Sequence, residues 1–406
     1  MKNLAIIGGG ASGMISAIFA AYTNPQLNIT VYERMDRVGK KLLATGNGRC
    51  NYTNLNTCTA NYYGRFPKFT RHALFSFTVD DTVNFFNRLG VFPKEEENGK
   101  LYPYSGQASA VLDALRNELS RLGINTVRSD IASVARTKKG FKLTGKDEEV
   151  YYGDRMIIAA GGCASPALGS DGSGFKLLKS LGHHITDLRP ALVQLKTPTD
   201  EVKSLQGIKI EGTLTLMSKD KVLGSDSGEI LFADYGISGP PVFQLSTIAA
   251  RHSGLTAAID FMAEYSLRQV YDILESRKQH LSHLTMESYF TGLLNKRLGN
   301  IIARRAGIEK LSFKVSDLNK ELLWKMAALI KDLRLEVLGT KGFANAQVTA
   351  GGVYTEEFSP YTMESRLCPG LYCAGEIYDI FGDCGGYNLQ WAWSSGALAG
   401  KNAAMD

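Results

Sequence analysis

The chain has few cysteines for its length, six among 406 residues. A disulfide scaffold carries many more in a much shorter chain, so this count excludes that class and indicates a reducing compartment. No segment is apolar over the length that a transmembrane helix needs. The glycines at positions 8 to 10 interrupt the apolar N-terminal run, which argues against a signal peptide. We therefore expect a cytoplasmic protein that does not enter a membrane.

Clusters of metal ligands are also lacking. His280 and His283 have two residues between them, but no cysteine or carboxylate cluster accompanies them, so we expect no metal. The formal net charge is only +6. Residues 266–338 hold 13 basic and 8 acidic residues, a difference of +5. A basic helical segment can bind nucleic acid, but mixed signs at helical spacing are typical of a solvated face, and we do not expect a nucleic-acid partner.

A glycine-rich turn follows the first apolar run. Its glycines are Gly8, Gly10 and Gly13, in the pattern GxGxxG between a strand and a helix. In such a turn the first glycine allows the bend, the second lets a pyrophosphate approach the backbone, and the third lets helix and strand pack closely. Glu33 ends the next predicted strand, 20 residues after Gly13. Its carboxylate is placed to accept hydrogen bonds from the ribose of an adenosine half.

Two further segments indicate which dinucleotide binds. Lys40, Lys41 and residues 45–51 (TGNGRCN) form a basic, glycine-rich loop that suits a pyrophosphate and a ribityl chain. Near the other end, a strand over 370–376 precedes two glycines and a helix that begins near Asn388. That helix N-terminus would place positive charge beside the flavin N1 and C2 carbonyl, where negative charge collects on reduction. We therefore predict FAD.

The motifs also carry a family resemblance. In chain order they are GGGASG, KKLLATGNGRCNYTN, AAGGCASPALGSDGSG, GISGPP, TAGGV, TMESR, GLYCAGE and GGYNLQWAWSSGALAG. Together they resemble the BaiN/YhiN-like family of bacterial FAD-dependent oxidoreductases, some of which are called aminoacetone oxidases. The resemblance covers nearly the whole chain. It implies an α/β fold in which a glutathione-reductase-type, Rossmann-like FAD-binding domain is interrupted by an inserted β-rich and helical domain.

The patterning assigns boundaries to these parts. Residues 1–190 and 345–406 are expected to form the discontinuous FAD-binding domain. Residues 191–265 alternate apolar and polar positions, as an inserted antiparallel substrate or cap domain would. Residues 266–344 are expected to be a helical subdomain. Within the first part, residues 70–89 and 107–122 each predict one helix.

The residues expected to bind FAD lie in the glycine-rich loops and at strand ends, with Ile131 bracketing the adenine: Gly8, Gly10, Ser12, Gly13, Glu33, Arg34, Lys40, Lys41, Gly46, Asn47, Gly48, Arg49, Cys50, Asn51, Ile131, Gly161, Gly375, Glu376, Asp379, Gly385, Gly386, Asn388 and Leu389. Cys50 follows Arg49, which would lower a thiol pKa, so a reactive or flavin-linked thiol is one alternative. A packed thiol and a non-covalently bound flavin are the interpretation that we favour.

A second dinucleotide motif is missing. Residues 161–174 are rich in glycine but lack the GxGxxG spacing. NAD(P)H is therefore expected only as a transient donor, unless the substrate itself is the donor. We predict hydride transfer between the flavin N5 and a small molecule, most simply NAD(P)H-linked reduction of an activated C=C bond in an enone or a steroid- or bile-acid-like substrate. The alternatives are a small-amine oxidase that uses oxygen, and a flavin-bearing RNA-modification or RNA-binding protein.

The catalytic group is the least determined part of the sequence. A proton donor or acceptor is needed near the flavin N5, and the candidates are Tyr235, Tyr387 and Arg49, with Tyr104 as a further polar group. Tyr235 is the candidate that we favour, because its motif, FADYGISGPP, belongs to the inserted part. A structural turn explains the glycines and prolines of that motif equally well.

Overall fold

The computed structural model describes residues 2–405. The chain forms two compact units. One runs up to Pro190 and resumes at Phe343, and the other is Ala191–Gly342. The sequence patterns placed the corresponding divisions at 190/191 and 344/345. Among the described residues, no helix is long and apolar enough to cross a membrane.

The secondary structure of the described residues follows in chain order. The α-helices are α1 (Ala11–Thr23), α2 (Lys40–Leu43), α3 (Thr70–Ser76), α4 (Val79–Arg88), α5 (Ala108–Arg121), α6 (Ser173–Ser180), α7 (Thr199–Val202), α8 (Pro240–Ala249), α9 (Leu267–His280), α10 (Met286–Tyr289), α11 (Lys296–Arg305), α12 (Lys320–Lys331) and α13 (Tyr387–Ala404). The strands are β1 (Asn3–Ile7), β2 (Asn28–Glu33), β3 (Thr53–Asn54), β4 (Tyr62–Tyr63), β5 (Pro93–Glu96), β6 (Lys100–Pro103), β7 (Asn125–Arg128), β8 (Ile131–Thr137), β9 (Gly140–Gly145), β10 (Val150–Gly153), β11 (Arg155–Ile158), β12 (Arg189–Ala191), β13 (Leu195–Lys196), β14 (Lys209–Ser218), β15 (Lys221–Ala233), β16 (Gly236–Ser238), β17 (Leu255–Asp260), β18 (Leu333–Val337), β19 (Gly339–Thr340), β20 (Val348–Ala350), β21 (Leu371–Cys373) and β22 (Phe381–Gly382).

A parallel sheet organises the first unit. Its strand order is β21-β11-β1-β2-β7, and each neighbouring pair is parallel. The apolar residues of β1 are all buried, which is typical of a parallel strand covered on both faces. Strand β21 comes from the C-terminal part of the chain and pairs with β11. The predicted Rossmann-type α/β fold is confirmed.

Helices α1 and α13 pack closely in this unit. A Cβ atom at Gly396 would lie 2.7 Å from the carbonyl O of Ser12, and one at Gly400 would lie 2.2 Å from that of Ser16. Small residues let two helix backbones approach in this way, so these two positions of α13 must lack a side chain. The buried core of the unit contains residues from both helices.

The segment predicted as one helix over 70–89 is two helices. The chain leaves helical geometry at Phe77, and α4 starts again after Thr78. Thr78 Oγ1 accepts a hydrogen bond from the Asp81 N–H (3.1 Å), and Asp81 Oδ2 accepts one from the Thr78 N–H (2.9 Å). This capping box stabilises a new helix N-terminus, which explains the break. The helix predicted over 107–122 is α5.

The second unit is an antiparallel sheet with helices packed on it. The strand order is β18-β17-β14-β15-β16-β13-β19, and one buried cluster contains residues from both its strands and its helices. Both stretches of this unit contain elements that the sequence patterns did not predict. Helices α7 and α8 interrupt the stretch expected to be β-rich, and α8 has Pro240 and Pro241 in its first turn. Strands β18 and β19 lie near the end of the stretch expected to be helical, and the alternating residues of β18 pair with β17.

Candidate functional site

The turn between β1 and α1 has the geometry expected for an anion-binding turn. A Cβ atom at Gly8 would lie 2.5 Å from the carbonyl O of Ala159, and one at Gly13 would lie 1.9 Å from that of Gly8. At Gly10, in contrast, a Cβ would meet no atom within 4 Å. Helix α1 begins after Gly10 without a side-chain cap. The backbone is therefore open to a phosphate at Gly10 and closely packed at the two flanking glycines.

Glu33 is held beside this turn by two backbone hydrogen bonds. Its Oε2 accepts from the N–H of Gly9 (2.8 Å), and its Oε1 accepts from the N–H of Met35 (2.8 Å). Both bonds fix the carboxylate at the carboxyl end of β2. Each oxygen retains a lone pair that can accept from a hydroxyl group. This fits the role of a ribose ligand that the spacing predicted.

Arg34 is engaged by two carboxylates. It forms ion pairs with Asp130 (3.3 Å) and with Asp171. Burial works to raise the pKa of Asp171, but its hydrogen bonds from Arg34 and Ser173 outweigh burial and lower that pKa. Asp171 was missed in the sequence, although its loop (GSDGSG) is rich in glycine. The loop after β11 thus lies beside the end of β2.

The two distant glycine-rich segments meet in the first unit. Lys41 Nζ lies 2.7 Å from Glu376 Oε2, and Glu376 Oε1 accepts a hydrogen bond from the Thr349 N–H (2.9 Å). A Cβ atom at Gly375 would lie 2.5 Å from Ser12 Oγ. Lys41 and Ser12 belong to the N-terminal part, and the other residues belong to the C-terminal part. Lys40 pairs with Asp36 instead.

The loop over residues 45–51 is shaped by left-handed backbone conformations. Gly46, Asn47, Gly48 and Cys50 have φ values of 55°, 54°, 83° and 59°. A Cβ at Gly46 would lie 2.9 Å from the Asn51 backbone nitrogen, so the loop folds back on itself there. Glycine adopts such angles at little cost, and asparagine tolerates them better than most residues. The loop is therefore compact rather than extended.

Arg49 and Cys50 in this loop differ in their surroundings. The Arg49 guanidinium pairs with Glu96 and lies 4.3 Å from the centre of the Tyr102 ring. The side chain of Cys50 is fully buried, and burial raises the pKa of its thiol to about 12. The expectation that Arg49 lowers this pKa is wrong, because burial dominates. Cys50 is a packed, protonated thiol.

The N-terminus of α13 lies against the strand that follows this loop. A Cβ atom at Gly386 would lie 2.6 Å from the carbonyl O of Thr53 and 2.8 Å from Asn51 Oδ1. Gly386 has a φ of 100° and provides no side-chain cap. Asn388 hydrogen-bonds the preceding loop: its Oδ1 accepts from the Gly382 N–H (2.7 Å), and its Nδ2 donates to the Gly382 carbonyl (3.0 Å). Its side chain shapes that loop.

Buried polar side chains of α13 form hydrogen bonds with the residue Gly375, which follows β21, and with Thr53 in β3. The sequence did not predict these contacts. Ser395 Oγ accepts a hydrogen bond from the Gly375 N–H (2.9 Å), and Trp391 Nε1 donates to the Gly375 carbonyl (3.0 Å). Thr53 Oγ1 donates to Gln390 Oε1 (2.5 Å). The sequence contained a signal for these contacts. Helix α13 is mostly apolar, and the few polar residues within it need hydrogen-bond partners if the helix is buried.

The other candidate residues have varied environments. Tyr387 is the first residue of α13, and burial raises the pKa of its hydroxyl. Tyr104 is exposed. Tyr235 belongs to the second unit, where the Lys341 ammonium lies 3.9 Å from its ring centre. Asp379 is buried and accepts a hydrogen bond from the Arg65 N–H (3.1 Å). Ile131 is buried at the start of β8.

Further candidate positions are Gly161, with a φ of 71°, Gly385, with a φ of 124°, and Leu389, which is partly buried on α13. No group of three or more ligands that could hold a metal occurs in residues 2–405.

These features together fit an FAD molecule. The open backbone at Gly10 suits the pyrophosphate, and Glu33 suits the ribose. Helix α13 begins without a side-chain cap, so its first N–H groups are available to a polar group of the flavin ring.

Comparison with known proteins gives a family and several relatives. The HI0933-like protein Rossmann domain matches residues 2–402. A protein of Clostridium scindens named 3-dehydro-bile acid delta(4,6)-reductase is 39% identical over 409 residues, covering 100% of this chain and 99% of its own length. A ribosomal RNA dihydrouridine synthase of Escherichia coli is 31% identical, covering 96% of this chain and 95% of its own.

Solved structures share the fold at low identity. The 3-ketosteroid delta1-dehydrogenase of Sterolibacterium denitrificans superposes with a TM-score of 0.52 at 12% identity, covering 100% of both chains. A quinol-fumarate reductase gives a TM-score of 0.52 at 14% identity, covering 100% of this chain and 71% of its own. The predicted resemblance and the predicted FAD-dependent oxidoreductase activity are confirmed. The chain belongs to the HI0933-like Rossmann-domain family of FAD-dependent oxidoreductases.

Proposed function

We propose that this protein reduces a carbon–carbon double bond conjugated to a carbonyl group in a steroid-like enone, with NAD(P)H as a transient donor. The observation that carries the proposal is the 39% identity, over the full length of both chains, to a 3-dehydro-bile acid delta(4,6)-reductase. Delta-4 and delta-6 double bonds of a 3-oxo steroid are conjugated to its carbonyl group. A cytoplasmic location belongs to the same proposal.

The chain's own residues support a flavin reductase. FAD reduced by NAD(P)H would supply a hydride from N5 to one carbon of the conjugated bond, and a proton added to the other carbon would complete the reduction. Glu33 and the open backbone at Gly10 hold the adenosine diphosphate half. The N-terminus of α13 offers partial positive charge to the pyrimidine end of the ring, which favours the reduced, anionic form.

Tyr387 is the residue that we favour as proton donor. It is the first residue of α13, the helix whose N-terminus we assign to the flavin, although burial raises the pKa of its hydroxyl. Arg49 is a weaker candidate because Glu96 and Tyr102 engage its guanidinium. Tyr235, whose pKa is also raised by burial, remains the candidate from the second unit.

A second candidate function is reduction of uridine in RNA. It is favoured by the relatives named ribosomal RNA dihydrouridine synthase, at 31% identity in Escherichia coli and 29% in Haemophilus influenzae. The C5–C6 double bond of uracil is conjugated to the C4 carbonyl, so the same hydride chemistry serves both substrates. Arg297 and Arg304 are exposed on α11 and would suit a phosphate backbone.

An anaerobic reoxidation experiment separates these candidates. The holoenzyme is reduced by light, and its flavin absorbance is followed after addition of a 3-oxo-4,6-diene steroid, a ribosomal RNA transcript or buffer. Rapid reoxidation by the steroid alone supports the proposal. Reoxidation by the transcript alone replaces it with the second candidate. Oxygen uptake with aminoacetone tests the third alternative, a small-amine oxidase.

The donor is tested separately by stopped-flow reduction with NADH and NADPH. The sequence has no second GxGxxG motif, so we expect the reduction rate to rise with nucleotide concentration without saturating at low concentration. Tight, saturable binding would contradict a transient donor.

A further inference from the structure

Strands β5 and β6 form a hairpin whose two faces differ in composition. Lys94 pairs with Tyr102, and Glu96 pairs with Lys100, so these four side chains share one face. Leu101 of β6 lies on the opposite face and is buried. We call the face that carries Lys94, Glu96, Lys100 and Tyr102 the hairpin face.

The inner end of the hairpin face adjoins the candidate flavin site. A Cβ atom at Gly385 would lie 3.5 Å from Lys100 Cε, and one at Gly46 would lie 3.3 Å from Tyr102 Cε1. The Arg49 guanidinium lies 4.3 Å from the centre of the same tyrosine ring. Gly46, Arg49 and Gly385 all belong to the loops that we assign to FAD. A molecule bound along the hairpin face is therefore next to the proposed flavin.

Two exposed aromatic residues lie at the outer end of this face. The Tyr104 N–H donates to the Phe92 carbonyl O (2.7 Å), which places the two residues side by side just beyond the paired strands. Tyr104 is 74% exposed and Phe92 is 66% exposed. Neighbouring exposed rings of this kind can bind a flat heteroaromatic ring by stacking.

The charges on the hairpin face favour an anionic group between these two ends. Glu96 forms an ion pair with Arg49, which neutralises its carboxylate. Lys94 and Lys100 are the other charged residues of the face, and both are positive. A ligand with an anionic middle and a flat outer ring fits this order. An apolar steroid-like substrate fits it poorly, because such ligands bind in concave pockets that cover most of their surface.

We propose that the hairpin face is the docking site of NAD(P)H, with the adenine on Phe92 and Tyr104 and the pyrophosphate beside Lys94 and Lys100. The nicotinamide then reaches the flavin, and a hydride passes from its C4 to the flavin N5. This step oxidises the nucleotide to NAD(P)⁺ and reduces the flavin. The inference rests on the proposed role of NAD(P)H as donor and is independent of the enone. An exposed face also releases the nucleotide readily, as a transient donor requires.

Stopped-flow reduction of the oxidised holoenzyme under anaerobic conditions measures this docking. The slope of the reduction rate against NADPH or NADH concentration should fall about tenfold in Tyr104→Ala and in Phe92→Ala, as for the loss of one stacked base. Lys94→Met should lower the slope and make it less sensitive to salt. The matched controls are Tyr152→Ala and Lys138→Met, because Tyr152 is 65% exposed and Lys138 is exposed in the same unit.

Saturation-transfer NMR gives a readout that does not depend on flavin reduction. NAD⁺ or NADP⁺ is added to the oxidised holoenzyme, and the transfer of magnetisation from the protein to the adenine protons is recorded. The adenine signals should be clear in the parent and in Tyr152→Ala and should be lost in Tyr104→Ala. The flavin absorbance of the same samples shows whether each variant keeps its folded cofactor site.

Unchanged slopes in both aromatic variants, or adenine signals that survive in them, would overturn the inference. Binding of a ribosomal RNA transcript that is lost in these variants while the slopes stay unchanged would assign the face to RNA instead. An equal loss in the reoxidation of light-reduced variants by the steroid would assign it to the substrate. A protein whose slope falls in Tyr104→Ala, but which the steroid does not reoxidise, would overturn the proposed substrate and leave this docking site intact.

Discussion

Lys41 and Glu376 are 335 positions apart in the chain, yet the Lys41 ammonium lies 2.7 Å from the Glu376 carboxylate. Their side chains are 27% and 19% exposed, so the pair is partly withdrawn from water. Glu376 also accepts the Thr349 N–H (2.9 Å). The pair therefore ties α2 to the C-terminal part of the first unit.

Removing this pair should destabilise the first unit. In a double-mutant cycle with Lys41→Met and Glu376→Gln, we expect a coupling free energy of about 1 kcal/mol, between the values of exposed and fully buried pairs. Urea unfolding of the four proteins measures it. Lys40→Met is the control, because Lys40 pairs with Asp36 only four residues away. Strictly additive effects of the two substitutions would contradict a direct interaction.

Glu33 should control FAD retention. Glu33→Ala removes an acceptor for the ribose and two hydrogen bonds that order the turn, to Gly9 and Met35. We expect FAD affinity to fall by at least about tenfold, as for the loss of a hydrogen bond to a charged group. Titration of apoprotein with FAD measures the change. The exposed Glu95→Ala should bind FAD like the parent, and equal affinity of Glu33→Ala would refute the assigned role.

Gly386→Val should impair the flavin site. The valine Cβ would lie 2.6 Å from the Thr53 carbonyl O, at a φ of 100° that β-branched residues avoid. Displacement of the α13 N-terminus should weaken FAD binding and lower the flavin reduction potential, because the helix no longer stabilises the reduced ring. Spectroelectrochemical titration measures the potential.

The control for this substitution is Gly90→Val, at a φ of 87° with no atom within 4 Å of its Cβ position. It imposes backbone strain without the clash at Thr53. A Gly386→Val protein with full FAD occupancy and the parent's potential would show that this helix N-terminus does not act on the flavin.

Cys50 should be unreactive in the native protein. Burial raises the pKa of its thiol to about 12, whereas Cys58 is exposed. Brief treatment with iodoacetamide followed by peptide mass spectrometry should label Cys58 and leave Cys50 unmodified. Acid precipitation should leave the yellow colour in solution, as for a non-covalent flavin. Colour that stays in the pellet and is lost in Cys50→Ser would contradict this prediction.

Acid should destabilise the first unit through His183. Its Nδ1 lies 2.8 Å from Glu357 Oε2 and its Nε2 lies 3.1 Å from Ser365 Oγ. Burial lowers the pKa of His183 below its ordinary value of 6.5, although Glu357 opposes this change. The unfolded chain therefore binds a proton before the folded one does, and stability is lost as the pH falls below 6.5.

The pKa of Glu357 acts in the same direction. Burial works to raise it, but hydrogen bonds from His184 and His183 outweigh burial and hold it below 4.5, so its stabilising effect is lost at still lower pH. Thermal unfolding of His183→Gln should depend less on pH near and below 6.5 than that of the parent. The exposed His280→Gln serves as control. Identical pH profiles of His183→Gln and the parent would rule out this role.

Local spacing carried the most reliable information about the fold. The role of Gly13 follows from its contact with Gly8, within a strand, a turn and a helix that are continuous in sequence. The helix break at Thr78 was missed because its capping box lies within an uninterrupted helical pattern of apolar residues. Contacts between side chains that are far apart in the sequence were also missed. Arg49 could not be assigned to Glu96, since no periodicity links residues 47 positions apart.

In the candidate site, too, features that depend on local sequence were predicted and those that depend on distant contacts were not. The carboxylate of Glu33 could be placed because its distance from the glycine turn is set by one helix and one strand. The hydrogen bonds between the Asn388 side chain and Gly382 could not be predicted, because they depend on the conformation of the loop before α13. The hydrogen bonds of Gly375 with Ser395 and Trp391 could not be predicted either, because they depend on how α13 packs in the folded unit.

The close contacts of Gly396 and Gly400 with α1 also affect the order in which the chain can fold during translation. Helix α1 lacks its contacts with α13 until residues 387–404 leave the ribosome, although α1 itself is synthesised among the first residues. Residues 191–342 have a separate core and need no such delay. The inserted unit is therefore free to fold during translation, whereas the proposed cofactor site is complete only after α13 has been synthesised.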